Sequence, residues 1–303
     1  MSPLVSVVIA TRDRPEMVRE AIDSVFAQTL DGDIEVIVVA DQSEPDLSLV
    51  RGGERRSTRV ITNTRSPGLA GARNTGIEAA RGEFVAFCDD DDLWMPRKLE
   101  RQLSALRRQP GAGLATCGIE VRYDGDTFSR TLDQPVVTFA DLLEDRHTEL
   151  HPSTFVMRRD VLLERIGLVE EEVPGGFGED YEFLLRAARV HPVVNVSEVL
   201  AAVRWGKQSF FFRRWETMAA GLTWLLKRYP EFDSSRPGSA RIMGQIAFAH
   251  AAMRSRRSAM AWGRRALLAN PGEPRVYLAA AVATQLVTPD QVMERLHRHG
   301  RGI

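Results

Sequence analysis

Leu4 to Ala10 is a near-continuous apolar run rich in Val and Ile. Such a run has no polar face to offer water, so it predicts a strand buried on both sides, as in a parallel sheet. Behind it, Pro15 suits a first helical turn, and Val18, Ala21, Ile22, Val25 and Phe26 recur at helical spacing. The pattern then repeats. Ile34 to Ala40 and Arg59 to Thr62 read as strands, Ala70 to Arg81 as a helix stopped by Gly82, and Phe84 to Cys88 as a fourth strand. Strands alternating with helices predict an α/β fold on a parallel sheet with right-handed crossovers.

Farther along, Pro96 to Arg108 reads as a helix, and Leu114 to Tyr123 and Ser153 to Met157 as strands. Glu179 to Val190 reads as a helix with Phe183, Leu184 and Ala187 on one face, approached through the turn-rich Gly175-Gly176-Phe177-Gly178. From about Gln208 strand signals vanish. The expected organisation is an α/β domain over residues 1–207 and a C-terminal helical region over 208–303, with Pro230 to Gly238 as a linker. Ile246 to Pro271 has the look of one tetratricopeptide-type helix pair, but with a single partial copy a plain helical tail is the expected form.

Composition narrows the class. The 303 residues are 44% hydrophobic and 27% charged, ordinary values for a globular protein. A net charge of −1 offers no bulk attraction to nucleic acid or to an anionic membrane. No stretch approaches the roughly 18 apolar residues of a membrane span. Met1-Ser2-Pro3 lacks the basic start and cleavage site of a signal peptide. Cys88 and Cys117 make neither a metal spacing nor a disulfide scaffold. A reducing cytoplasm is the expected setting, with peripheral membrane contact left open.

In open α/β sheets, ligands bind beyond the carboxyl ends of the strands. Three polar features fall there: Thr11-Arg12-Asp13, Asp41-Gln42-Ser43 and Asp89 to Asp92. Along an extended chain Asp89 and Asp91 would share a face. Carboxylates that close repel and raise each other's pKa, and a divalent cation, Mg2+ or Mn2+, resolves the conflict. The bland alternative is a solvated acidic turn capping the next helix. No G-x-G-x-x-G or P-loop spacing occurs, and the first turn, Thr11 to Pro15, contains no Gly, which argues against dehydrogenases, NTPases and sugar nucleotidyltransferases. A rival from another class is a binding or scaffold protein using the C-terminal helices; it predicts no turnover.

Several segments together carry a family resemblance. They are Val5-Ser6-Val7-Val8-Ile9-Ala10-Thr11-Arg12-Asp13-Arg14, Ala40-Asp41-Gln42-Ser43, and Gly71-Ala72-Arg73-Asn74-Thr75-Gly76-Ile77 with Arg81-Gly82-Glu83-Phe84. Asp89 to Asp92 with Leu93-Trp94-Met95-Pro96-Arg97-Lys98-Leu99 follows, and then Gly178-Glu179-Asp180-Tyr181-Glu182-Phe183-Leu184-Leu185-Arg186. Over roughly residues 3 to 205 the chain resembles the family 2 inverting glycosyltransferases, whose domain has the GT-A fold. The resemblance implies a metal-dependent hexosyl- or N-acetylhexosaminyltransferase that moves a sugar from a nucleotide-sugar, UDP-linked donors being commonest, to an acceptor hydroxyl. It implies Asp91 as a metal ligand, Asp89 as a second ligand directly or through water, and Asp90 at the donor sugar or ribose. It further implies Asp41 at the nucleobase, Thr11 and Asp13 in the first donor-binding turn, and Arg73 at the base or diphosphate. Asp180 would be the general base, with Glu179 orienting it or binding acceptor.

Departures matter as well. Where many relatives place a His that can join the metal, this chain reads Arg204-Trp205-Gly206-Lys207, so Arg204 or Lys207 is a candidate phosphate contact instead. Ala201 replaces the Gln of the processive synthases' Gln-x-x-Arg-Trp motif, which argues against a polysaccharide-extruding synthase. Trp94 reads equally as a sugar-stacking wall or a core aromatic. His151 reads as structural, and Arg12 and Arg14 as solvent-facing. The acceptor stays open among saccharide, lipid-linked sugar, natural product and peptide. The helical tail is a candidate for homodimerisation or for holding a large acceptor.

Overall fold

The apolar run at the start becomes β1 (Val5–Thr11), which pairs in parallel with β2 (Ile34–Ala40). The computed structural model of the protein describes residues 3–205, 213–298 and 302–303. Lys207, and the 207/208 boundary, lie outside the described residues. β3 (Arg56–Thr62) extends the parallel set beyond β2, and β4 (Phe84–Phe87) pairs in parallel with β1 on its other side. Burial explains the composition. Val5, Val7 and Ile9 face one core with α1 (Pro15–Phe26), while Val8 faces another with α2 (Leu69–Ala79).

The helix ending before β4 differs from expectation. Its C-cap is Ala80 in extended conformation, and Gly82 has no positive φ. Gly82 is small for a different reason: a Cβ there would lie 2.6 Å from the backbone nitrogen of Ser6. Close backbone approach, rather than helix termination, fixes this glycine.

Past β4 the sheet becomes mixed, where a wholly parallel one was expected. β5 (Leu93–Trp94) and α3 (Lys98–Arg108) follow the acidic segment, and then β6 (Leu114–Tyr123) and its hairpin partner β7 (Asp126–Arg130). β8 (Val136–Val137) and α4 (Phe139–Glu144) lead to β9 (Val156–Arg158). β9 is inserted antiparallel between β4 and β6, with Ala86 opposite Val156. This pairing brings the segment just before β9 alongside the end of β4. A single turn, α5 (Arg159–Val161), is followed by α6 (Glu179–Val190) and β10 (Val193–Arg204), which is parallel to β6.

The C-terminal helices are α7 (Trp215–Arg228), α8 (Arg236–Ala252), α9 (Arg256–Ala269), α10 (Pro274–Ala283) and α11 (Pro289–His297). The expected linker is not one. Tyr229 and Phe232 are each 1% exposed, residues 230–234 form a 3-10 turn, and α8 already begins at Arg236. Leu222, Leu225, Ile242 and Ile246 join the same apolar cluster as Val8, Phe87 and Phe183. Helices and sheet are therefore held by a shared core. Among the described residues no helix is long and apolar enough to cross a membrane.

Candidate active site

A cleft of about 1780 Å3 opens at the carboxyl ends of β1, β2 and β4. Its floor carries Thr11, Asp41, Arg73, Asp89 to Asp92, His151, Glu179 and Asp180. Asp13, by contrast, is exposed, has a φ of 53° and does not line the cleft. Trp94 is also outside it. It is a core aromatic whose Nε1 donates to the Ser153 carbonyl at 2.8 Å, with the Lys98 ammonium 3.8 Å from its ring centroid.

The acidic segment is a turn, not an extended strand. The Asp92 N–H donates to the Asp89 carbonyl at 3.1 Å, which brings the first and fourth residues together. The expected sharing of a face by Asp89 and Asp91 is replaced by a grouping of Asp89, Asp92 and His151, with ligand atoms within 4.8 Å of one another. Asp90 and Asp91 turn instead to Arg14, whose Nη1 lies 3.0 Å from a carboxylate oxygen of each. Arg14 is thus a cleft residue rather than a solvent-facing one. Thr11 Oγ1 donates to Asp90 at 2.7 Å. Burial pushes the Asp90 carboxyl up, and burial with the Asp89 and Asp90 charges does the same to Asp91.

Ser153 ties the group together. Its hydroxyl accepts from the Asp89 N–H at 2.9 Å and donates to Asp92 Oδ2 at 2.6 Å. Its own N–H donates to His151 Nδ1 at 3.3 Å. Asp92 takes a further hydrogen bond from the Arg204 N–H at 3.2 Å, and Arg204's guanidinium pairs with Glu20. His151 Nδ1 lies 3.4 Å from Asp92 Oδ2. Burial lowers the His151 pKa and so favours the neutral ring, whose acceptor nitrogen, Nδ1, meets the Ser153 N–H. Hard carboxylates beside a neutral imidazole are a donor set that fits Mn2+ or Mg2+. His151 and Asp92 are the functional candidates that sequence reasoning passed over.

Arg73 forms the back wall. Its side chain is only 3% exposed, and its two arms donate to Asp89 at 2.7 Å and to Glu179 at 3.0 Å. It is a buried clamp between the acidic turn and the start of α6. Glu179 and Asp180 follow Gly178, whose φ of 88° turns the chain sharply into that helix. Burial and the neighbouring Asp180 push Glu179 up to about 7. Burial also acts on Asp180, but Arg146 and His151 outweigh it and hold its carboxyl below the usual range. Arg146 Nη2 donates to Asp180 directly.

Asp41 sits at the end of β2 with its carboxylate held by the Gly68 N–H at 3.0 Å and by Asn63 Nδ2 at 2.8 Å. Gln42 Nε2 donates to it as well at 3.0 Å, so donors meet both carboxylate oxygens and fix its orientation at the cleft.

The comparisons with known proteins fit this layout. The family model described as "Glycosyl transferase family 2" matches residues 6–166, just over half of the chain. The chain belongs to glycosyl transferase family 2. Its relatives include "Uncharacterized glycosyltransferase EpsJ" of Bacillus subtilis, 32% identical over 206 residues, covering 62% of this chain and 57% of its own. WfgD of Escherichia coli, a "UDP-Glc:alpha-D-GlcNAc-diphosphoundecaprenol beta-1,3-glucosyltransferase", is 34% identical over 105 residues, 34% of this chain and 41% of its own. The chain spans 57% to 64% of the length of the first curated relatives it matches.

Two solved structures share the fold of this family 2 chain. S. aureus TarS residues 1–349, in complex with UDP-GlcNAc, superposes with a TM-score of 0.59 at 17% identity, covering 99% of this chain and 93% of that one. The mannosyltransferase PcManGT of Pyrobaculum calidifontis, in complex with GDP-Man and Mn2+, gives 0.58 at 19% identity, covering 96% and 83%.

Proposed function

We propose that the chain is a cation-dependent inverting glycosyltransferase that moves a hexose or N-acetylhexosamine from a nucleoside diphosphate, with uridine the expected nucleoside, to an acceptor hydroxyl. One observation carries the reading: Asp41, Arg73, the acidic turn, His151 and the Glu179–Asp180 pair converge on a single cleft at the carboxyl ends of the parallel strands. Family membership supports it, as do the nucleotide-sugars named for TarS and PcManGT.

The residue roles follow from chemistry and exposure. Asp41 accepts a ring N–H of the base. Asp89, Asp91 and His151 hold the cation, because Asp91 is 31% exposed at the cleft whereas Asp92 is 2% exposed with both oxygens already engaged. When bound, the cation supplies Lewis-acid neutralisation of the diphosphate charge. Arg14 releases Asp91 and turns its guanidinium to phosphate.

Asp180 is the base. Its side chain is 22% exposed, against 5% for Glu179, so only Asp180 can reach an acceptor. The acceptor oxygen attacks the anomeric carbon from the face opposite the leaving group, and its proton passes to the Asp180 carboxylate. The new C–O bond forms as the bond to diphosphate breaks, and the electron pair leaves with the nucleoside diphosphate. Glu179 holds Arg73, and through it Asp89. A panel of UDP-, GDP- and dTDP-sugars, with and without Mn2+, read by thermal shift and donor hydrolysis, tests the proposal. Cation-dependent stabilisation by one nucleotide family is expected; none with any donor would refute it.

A further inference from the structure

Buried polar side chains nearly always find partners, so those without one point to something that is not there. Among the described residues, ten buried side-chain nitrogen and oxygen atoms have no hydrogen-bond partner. Only two belong to residues lining the cleft, Arg241 Nε and Gln245 Oε1. Both lie on α8, one helical turn apart, and so share a face. One is a charged donor and the other a neutral acceptor.

Their surroundings define what is missing. Arg241 Nη2 donates to the Tyr181 hydroxyl at 2.9 Å. Its Nε lies 3.7 Å from Asp145, beyond hydrogen-bond reach, and the Asp145 side chain is 60% exposed and water-screened. The Arg241 charge is therefore poorly compensated although the residue is buried. Gln245 Nε2 donates to the Ile303 carbonyl at 2.7 Å, which fixes the amide and leaves Oε1 to accept. Tyr181 follows the candidate base in sequence, and its ring lies 5.4 Å from the Arg146 guanidinium and 5.6 Å from that of Arg241. Arg146 is already committed to Asp180 and to the carbonyls of His147 and Leu150. Arg241 is less committed: its one carboxylate contact is 3.7 Å away and exposed.

We propose that Arg241 and Gln245 form an acceptor subsite for a sugar bearing an anionic group, carboxylate or phosphate, next to a hydroxyl. The guanidinium takes the anion, and the hydroxyl donates to Gln245 Oε1. A neutral sugar would leave the buried guanidinium with only the exposed Asp145 carboxylate, 3.7 Å away, as its counter-ion, which costs more than an unmade neutral hydrogen bond. The assignment rests on the transferase reading, since it supposes that this side of the cleft receives the acceptor.

The test uses the full chain with Mn2+ and titrates methyl glucoside, methyl glucuronide and glucose 6-phosphate by saturation-transfer NMR and calorimetry. At least one anion should bind about tenfold tighter than the neutral sugar, the worth of one charge-assisted hydrogen bond. A preference confined to one anion identifies which group the subsite takes. Arg241→Met should erase the preference, Arg241→Lys should keep part of it, and donor affinity should stay unchanged in both. If Arg241→Met fails to fold by circular dichroism, Gln245→Leu carries the test and should weaken anion binding alone. Equal binding of neutral and charged sugars, binding of neither anion, or a preference that survives the Arg241 and Gln245 substitutions would overturn the proposal. Absence of donor binding with intact anion binding would instead sink the transferase reading and leave this subsite standing.

Discussion

Arg73 and Asp89 are joined at 2.7 Å inside the protein, while the other arm of the same guanidinium holds Glu179 at 3.0 Å. The planar fork lets one side chain set the distance between the acidic turn and the start of α6. Arg73→Met should remove the clamp and strand two carboxylates. Breaking a buried pair in this way costs about 3–5 kcal/mol, readable as a shift in urea midpoint. Arg73→Lys keeps the charge but not the fork, so it should fold better than the Met variant and still lose most transfer. Wild-type stability in Arg73→Met would show that the clamp holds nothing.

Ser153 is the joint of the turn. Ser153→Ala leaves Asp92 Oδ2 without its hydroxyl donor and the Asp89 N–H without an acceptor, at about 1–3 kcal/mol. If the serine also orients Asp89 and His151 toward a cation, Mn2+ affinity measured by electron paramagnetic resonance should fall by about 10–100-fold. A loss of stability with unchanged Mn2+ affinity would restrict Ser153 to folding.

Two ligand sets compete, and paired variants separate them. With Asp89, Asp91 and His151 as ligands, Asp91→Asn and His151→Ala should each abolish cation-dependent thermal stabilisation while leaving the metal-free melting temperature near that of the wild type. Asp92→Asn should mainly destabilise the fold, because Asp92 anchors Ser153 and the Arg204 backbone. Should Asp91→Asn retain cation binding and Asp92→Asn lose it, the tighter grouping of Asp89, Asp92 and His151 would be the site.

The acid pair should separate by pH. Burial and Asp180 raise Glu179 from its ordinary 4.5 to about 7 in the folded protein. Between those values the folded state holds a proton that the unfolded chain has released. Wild-type stability relative to Glu179→Gln should therefore fall as pH rises from 4.5 to 7 in metal-free protein, and level off above. Asp180 has the opposite shift and stays ionised at neutral pH, ready to accept a proton. Asp180→Asn should keep donor affinity and lower transfer by about 10^2–10^4-fold in single-turnover assays. Retained transfer would exclude Asp180 as the base.

Much of this layout is written in local pattern. The helix Glu179–Val190 is legible to the residue, because its apolar spacing and the glycines before it agree. The sites at the ends of β1, β2 and β4 follow from strand runs ending in acids. What escapes is set by long-range pairing. His151 looks isolated along the chain, and only the antiparallel insertion of β9 against β4 carries it to the acidic turn. Four identical aspartates cannot reveal that the chain turns between the first and the last. The misread linker did hold a signal: Phe232, and Tyr229 just before it, are large aromatics, out of keeping with a solvated tether. Arg14 could have been suspected from its place beside the first strand end, but a charge opposite another is invisible before the fold is known.

Because α8 contributes Ile242 and Ile246 to the sheet's own core while Arg241 and Gln245 look into the cleft, the tail is not a detachable module. Exchanging it whole for a relative's tail would tear the interior before it changed selectivity. Altered acceptor scope is better sought by side-chain replacement along one face of that helix, with the buried ridge kept as it stands.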